Sequence, residues 1–442
     1  SQLQPRTPRY ASRLSALLAG LMLVFAFAPF NYWPLAVLSP ALLLLILNGQ
    51  GPRSAFLTGW CYGLGMFGYG VWWIQVSVHQ FGVPYYIFSV SVTALFIAAM
   101  ALFPALFGVL YARASQRYLP LCLVAPALWV LIELTRGWFL TGFPWLSLGY
   151  SQINSPLAGF APIIGVYGCS AMVVLVAGCL VEVSKPNWWR RGALVGVAGL
   201  IVLAGHGLRQ VEFGSAAGGS LEAALIQGAI PQELKWRRDV RAASIKLYQH
   251  LSAPHWDADV VIWPETAIAA FPHEVKPLIA ELHQPALKHD LDLLIGMPTG
   301  QPYAGNYYNS LVDFGATAGQ YDKRHLVPFG EFFPLKDWIS GIAMLLDIPL
   351  SDFSFGASNQ HSLNVAAYKA GISICYEDAF GREVIDALPD AAFLINVSND
   401  AWFGDTVAPH QHLQIAQMRA LETERYLLRA TNTGITAIID HR

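Results

Sequence analysis

Five cysteines occur in the 442-residue chain, and four of them (Cys61, Cys122, Cys169 and Cys179) lie in long uncharged apolar runs. The fifth, Cys375, ends the apolar segment GISIC and is followed by Tyr376, Glu377 and Asp378. The first four read as small buried apolar residues, and no C-x-x-C or Cys/His spacing points to a metal. With no second cysteine in its own half of the chain, Cys375 is either a buried inert thiol or a nucleophile. A strand-to-helix turn there would offer backbone N–H groups and a positive helix end, which lower a thiol's pKa and bind an oxyanion. Glu265 follows VVIWP at the mouth of another apolar run, where a carboxylate beside a thiol can act as general base. Lys323 sits in the Pro/Gly-bearing loop YDKRHLVPFGEFFP (321–334), where a fixed ammonium would stabilise a thiolate and a tetrahedral oxyanion. Singly, Glu265 could be a helix N-terminal charge and Lys323 a solvated loop residue. Together they supply base, cation and nucleophile for attack on a carbonyl. The alternative is a Cys–His pair, with His325, His410 and His412 as candidates. His410 and His412 open a long helix, so a cap or surface role is expected for them. Trp145 and Trp236 read as exposed-loop aromatics near membrane depth, suited to interfacial anchoring.

These residues must be positioned by two very different halves. The chain is 55% hydrophobic and 13% charged, with a net charge of −2. Residues 1–211 hold 11 Lys/Arg against two acidic residues, Glu133 and Glu182, whereas 212–442 hold 16 basic against 27 acidic. A net +9 followed by −11 implies lipid as the first solvent and water as the second. No segment has the basic clustering of a nucleic-acid binder. Charged residues are absent between Arg13 and Arg53, from Ser54 to Ala112 and from Gly137 to Val181. Such runs exceed the roughly 20 apolar residues that span a bilayer, and they lack the polar face of a soluble helix. Seven spans are expected, near 12–29, 34–48, 57–78, 85–110, 119–138, 157–182 and 192–208. Pro and Gly punctuate them at Asn31–Pro34, Gly49–Pro52, Gly82–Pro84 and Asn154–Pro156. Residues 1–29 could be a signal peptide, but six further spans make cleavage beside the point and no A-x-A site directly follows residue 29, so the first span is expected to stay as an anchor.

With the N-terminus inside, the inner loops carry Arg6, Arg9, Arg13, Arg53, Arg113, Arg117, Lys185, Arg190 and Arg191, and the outer loops only Arg136. This positive-inside bias and an odd number of spans place everything after about residue 210 outside the cytoplasm. Glu133 and Arg136, three apart on one helix face, read as an interfacial ion pair at the outer end of the fifth span.

From Leu221 the pattern becomes that of an α/β layered domain. Strands are expected at 221–227, 259–263, 291–297, 308–314, 319–323, 371–376, 391–398 and 434–440. Helices are expected at 236–252, 274–289 and about 409–428. The continuous apolar runs GISICY and AAFLINVS suit strands buried on both faces. This pattern leaves open a doubly wound sheet or a two-sheet sandwich.

The segments WPET around Glu265, YDKRHLVPFGEFFP around Lys323 and ICYED around Cys375 resemble the three signature segments of the nitrilase superfamily. With TGFPWLSLGYSQI (141–153), ALIQGAIPQELKW (224–236), NVSNDAWFG (396–404) and ATNTGITAII (430–439), nearly the whole chain resembles its membrane-embedded branch, the apolipoprotein N-acyltransferases. The resemblance implies a polytopic α-helical membrane bundle (1–211) followed by an αββα nitrilase-like sandwich (212–442) on the periplasmic side of the bacterial inner membrane. It implies a Glu265–Lys323–Cys375 triad supported by Glu331 and Glu377, with Trp236 and Tyr376 at the substrate entrance. Trp145 falls in one of the matching segments and is taken as a further substrate-binding residue. The implied reaction needs no cofactor. It moves an acyl chain from a phospholipid, typically phosphatidylethanolamine, through a cysteine thioester to the α-amine of the diacylglyceryl-cysteine of an apolipoprotein. A membrane-tethered amidase of the same superfamily is the runner-up. Family members usually continue into a further transmembrane helix, whereas this sequence stops at His441-Arg442, and missing residues are the expected reason.

Overall fold

The computed structural model describes residues 9–82, 85–115, 121–183, 188–215, 218–301, 303, 305–332, 353–360 and 362–442. Arg6, Arg117, Lys185, the Val83-Pro84 break, the start of the span at 119–138 and the end of the 321–334 segment lie outside them. The chain divides into two compact units, Ser1–His79 with Pro84–Phe213, and Gln80–Val83 with Gly214–Arg442.

The first unit is helical: α1 (Arg9–Val24), α2 (Pro34–Leu47), α3 (Pro52–Gly70), the single turn α4 (Ile74–Ser77), α5 (Tyr86–Met100), α6 (Leu102–Ser115), α7 (Leu121–Trp138), α8 (Ala161–Glu182) and α9 (Trp188–Leu208). Proline stands at the start of α2 and α3, where its missing N–H costs nothing. Among the described residues four helical stretches are long and apolar enough to cross a membrane: Tyr86–Ser115, Cys122–Thr141, Pro156–Glu182 and Arg191–Leu208. Tyr10–Val24 and Pro34–Leu47 are shorter apolar helices. Two expected spans are therefore interrupted. The 12–29 run leaves helix after Val24, where residues 25–33 form turns with Asn31 at φ +59°, and the 57–78 run breaks after Gly70. Close packing of α3 relies on glycine: a Cβ at Gly65 would strike the backbone of α1, and one at Gly59 the backbone of α6.

Glu133 and Arg136 are buried rather than interfacial, a correction to the sequence reading. Glu133 Oε1 accepts from Trp129 Nε1 (2.9 Å) and from the backbone N–H of Leu148 (2.7 Å). Arg136 donates to the carbonyls of Phe143 (2.8 Å) and Trp145, and to Ser147 Oγ (3.1 Å). The two charges thus tie down the 143–148 segment, whose backbone groups would otherwise be buried unpaired. Trp145, only 1% exposed, packs against Trp73 and Phe143, so it is a core residue of this unit and not an exposed-loop anchor.

The second unit contains two five-stranded sheets. The first runs β1-β2-β3-β4-β5, namely Ala223–Leu225, Val260–Ile262, Asp292–Gln301, Asn306–Asp313 and Gly319–Asp322. The second runs β10-β9-β8-β7-β6: Ala437–Ile439, Leu427–Thr431, Phe393–Ser398, Tyr368–Ile374 and Ser362–Val365. Each sheet combines parallel pairs (β1/β2/β3 and β7/β8/β9) with antiparallel edges. Strand alternation sorts the side chains. Val260, Ile262, Leu294 and Leu311 meet Ile372, Ile374, Ile395 and Val397 in one core between the sheets. Val261, Trp263 and Leu293 face outward onto Ile245 and Tyr248 of helix Arg238–Ser252 and Leu282 of helix Lys276–Lys288. On the far side Leu394 and Leu427 meet Ala416 and Ala420 of helix Ala408–Thr423. Of the two layouts that the pattern left open, the structure is the sandwich, in four layers, helix–sheet–sheet–helix.

Two strands escaped the sequence pattern. The helix expected to reach residue 428 ends at Thr423, because Glu424 turns left-handed (φ 50°, ψ 45°) and releases β9 to pair with β8. β6, Ser-Leu-Asn-Val, does alternate and buries Leu363 and Val365, but it is an edge strand of only four residues, too short a run to stand out.

Candidate active site

Three strand ends in the second unit deliver the titratable groups. Beyond β2 the chain turns through Trp263-Pro264-Glu265, and a Cβ at Gly296 on the neighbouring strand would collide with Pro264 O, so glycine is required there. Glu265 Oε1 accepts from Asn309 Nδ2 (2.8 Å), and Lys323 Nζ lies 3.5 Å from the same oxygen. Glu265 Oε2 is buried and has no hydrogen-bond partner among the described residues. Lys323, immediately after β5, is 1% exposed and bonds Glu331 Oε1 at 2.9 Å. Burial works against its charge, but Glu331, Glu265 and Cys375 outweigh that and hold its pKa well above the ordinary lysine value.

Cys375 follows β7 and is buried, with φ at +54°, a left-handed conformation uncommon for a non-glycine residue. Its carbonyl oxygen accepts from Asn396 Nδ2 (3.3 Å) and faces His412 Nε2 (3.3 Å). Burial pushes the thiol up, Glu265 adds to that, and the pull of Lys323 is too weak to reverse it. The expectation that the turn itself lowers the pKa is therefore corrected. Beyond β7 the chain makes only a five-residue 3-10 turn (Cys375–Ala379), whose dipole is too small to offset desolvation.

Glu331 and Glu377 bind the loop. Glu331 Oε1 takes Lys323 and Asn309, and Oε2 takes the N–H of Val327. Glu377 accepts backbone N–H bonds from Arg324 (2.6 Å), His325 (3.0 Å) and Ile374 (2.7 Å), so one carboxyl ties the Lys323 loop to the Cys375 turn. Burial raises its pKa although these donors and Lys323 pull it down. Tyr376, partly buried, lies near Phe380 and the ring of His325. Trp236 is 50% exposed at the end of the short helix Gln232–Lys235.

Three residues near Cys375 went unrecognised or misread in the sequence. Asn309 bridges Glu265 and Glu331 from β4; its place in a strand carried no chemical signal. Lys235 is 5% exposed and donates to Glu265 O at 2.8 Å; it directly precedes Trp236 in QELKW, which alone could have drawn notice. His412 is not at the surface: it is buried, with Nδ1 2.8 Å from Asp400 Oδ1 and Nε2 3.1 Å from Asp378 Oδ1. The fold places the first turn of its helix under the Cys375 turn, which no local pattern reveals. Arg429 closes this cluster onto Asp378 (3.1 Å) and Asp400 (3.2 Å). Burial and Arg429 oppose a charge on His412, yet the two aspartates prevail and hold it up at about 9. His410 is exposed, and His325 Nδ1 faces Glu383 at 2.9 Å. Among the described residues no group of His, Cys, Asp and Glu is arranged to hold a metal ion.

Residues 19–179 match the model described as apolipoprotein N-acyltransferase N-terminal domain, and residues 222–442 match that described as carbon-nitrogen hydrolase. An apolipoprotein N-acyltransferase of Methylococcus capsulatus is 45% identical over 97% of this chain and 85% of its own length. That of Nitrosomonas europaea is 44% identical over 98% of this chain and 88% of its own. Among solved structures, a carbon-nitrogen hydrolase from Helicobacter pylori is similar at a TM-score of 0.34 and 15% identity, covering 50% of this chain and 79% of that one.

Proposed function

This chain belongs to the apolipoprotein N-acyltransferase family, and we propose that it carries out lipoprotein N-acylation in two steps through a thioester on Cys375. The observation that carries the reading is the buried meeting of Glu265, Lys323 and Cys375, with one oxygen of Glu265 unbonded among the described residues. In the first step Glu265 takes the Sγ proton, and the thiolate attacks the acyl ester carbonyl of a phospholipid, phosphatidylethanolamine in the simplest case. The Lys323 ammonium stabilises the oxyanion. As the ester C–O bond breaks, the proton on Glu265 passes to the departing glycerol oxygen, and the acyl group stays on sulfur. In the second step the α-amine of a diacylglyceryl-cysteine attacks the thioester, gives a proton to Glu265 and expels the thiolate, which that proton restores to a thiol.

A thiol kept protonated by burial at rest suits this scheme, since it becomes nucleophilic only when Glu265 accepts its proton. Trp236 and Tyr376 line the approach of the lipids. The charge asymmetry of the loops supports a bacterial inner-membrane location with the catalytic unit on the periplasmic side.

Incubation of the purified enzyme with phospholipid is expected to leave an acyl adduct on Cys375, detectable by intact mass and cleaved by hydroxylamine. A diacylated lipopeptide should discharge it and water should not; discharge to water alone would indicate an amidase. Cys375→Ala with undiminished transfer would falsify the mechanism.

A further inference from the structure

The site contains two buried lysines in different states. Lys323 is clasped by two glutamates, at 2.9 and 3.5 Å. Lys235 donates instead to the main-chain oxygen of Glu265 at 2.8 Å, so Glu265 Oε2 keeps no hydrogen bond among the described residues. Its ammonium nevertheless interacts electrostatically with both Glu265 and Cys375. Burying an ammonium costs several kcal/mol unless charge or hydrogen bonding compensates. One bond to a carbonyl does not need a full charge, because a neutral donor would satisfy it.

We propose that Lys235 is a second cation of the site, a positioning residue that fixes the backbone of Glu265 and favours the thiolate of Cys375 alongside Lys323. Lys235 leaves the base free and adds its charge to the support that Lys323, held at Glu265 and Glu331, already gives the thiolate. Among the described residues the ionisable groups that act on Lys235 are Glu265, beyond β2, and Cys375, beyond β7. Burial lowers its pKa to about 8 against their pull, so its support fades as pH rises through that value. The role deepens the thioester reading and rests on it.

The test is the rate at which iodoacetamide alkylates Cys375 in the full chain in detergent, with Cys375→Ala backgrounds subtracting the other four cysteines. Lys235→Gln keeps a donor for Glu265 O but removes the charge, and Lys235→Arg keeps the charge. At pH 7 the glutamine variant should be slower by about tenfold, the equivalent of one pKa unit, and the arginine variant within about threefold of the parent. Above pH 8 the arginine variant should overtake the parent, because arginine stays charged there. If the glutamine variant does not fold, Lys235→Met repeats the neutral arm with an apolar chain suited to burial. Equal rates in parent and neutral variants would overturn the proposal, and so would an arginine variant as slow as they are. Alkylation needs neither lipid nor amine. Its failure would leave acyl transfer standing, while a missing acyl adduct would remove the thioester reading without altering the thiol's response to Lys235.

Discussion

Two buried ionic clusters flank Cys375, and they are built on opposite plans. On the side-chain side Glu265, Lys323 and Glu331 converge with Asn309, and one carboxylate oxygen remains unbonded among the described residues. On the carbonyl side Asp378, Asp400, His412 and Arg429 form a set in which all four aspartate oxygens are engaged, the buried Nε of Arg429 having no partner among the described residues. The first cluster can change its protonation because a lone pair is open to receive a proton. The second would lose compensated charge if it did so, and its bond to the Cys375 carbonyl suits it to hold the left-handed turn in place. The open carboxylate oxygen and the bond to the Cys375 carbonyl thus belong to different clusters, with Asp400 of the second also raising the thiol's pKa.

Substitutions in the two clusters should separate along that line. Glu265→Gln removes the proposed proton acceptor and is expected to lower kcat by about 10³-fold, within the range for general base loss, while leaving the thermal midpoint near that of the parent. Arg429→Met leaves two aspartates without their guanidinium. It should cost about 3–5 kcal/mol, read as a large drop in thermal midpoint. The division between clusters fails if Arg429→Met instead abolishes turnover with stability unchanged.

The smallest effect is one of pH. His412 is held at about 9 in the folded chain, above the ordinary histidine value of about 6.5. Its contribution to stability is therefore fully present below about pH 6.5 and is lost as pH rises through about 9. The thermal midpoint should decline across that window, and His412→Gln should flatten the decline. A variant with the parent's pH dependence would move the effect to another group.

Much of the frame is legible in the residues because it follows from short-range chemistry. Uncharged, largely apolar runs such as 157–181 can only be buried in lipid or in a core, and α8 takes up most of that stretch. GISIC and AAFLINVS are apolar on both faces, and each becomes an inner strand of the second sheet. β9 is hidden because the helical pattern runs on past Glu424 into LLRAT, whereas the left-handed turn at Glu424 ends the helix before it.

The sequence by itself determined that there are two solvents and one thiol in the watery half, and it put Glu265, Lys323 and Cys375 at strand ends, where side chains from different strands can converge. Composition and periodicity are local properties, so they carry that far. Only the tertiary structure decided which partners those residues have. Lys235 reaches Glu265 across 30 positions and Arg429 reaches Asp378 across 51, distances over which no local pattern persists. It also decided the direction in which the Cys375 thiol is shifted. A turn read alone promises a lowered thiol pKa, whereas burial beneath two sheets and beside a carboxylate raises it, because desolvation depends on everything packed around the sulfur.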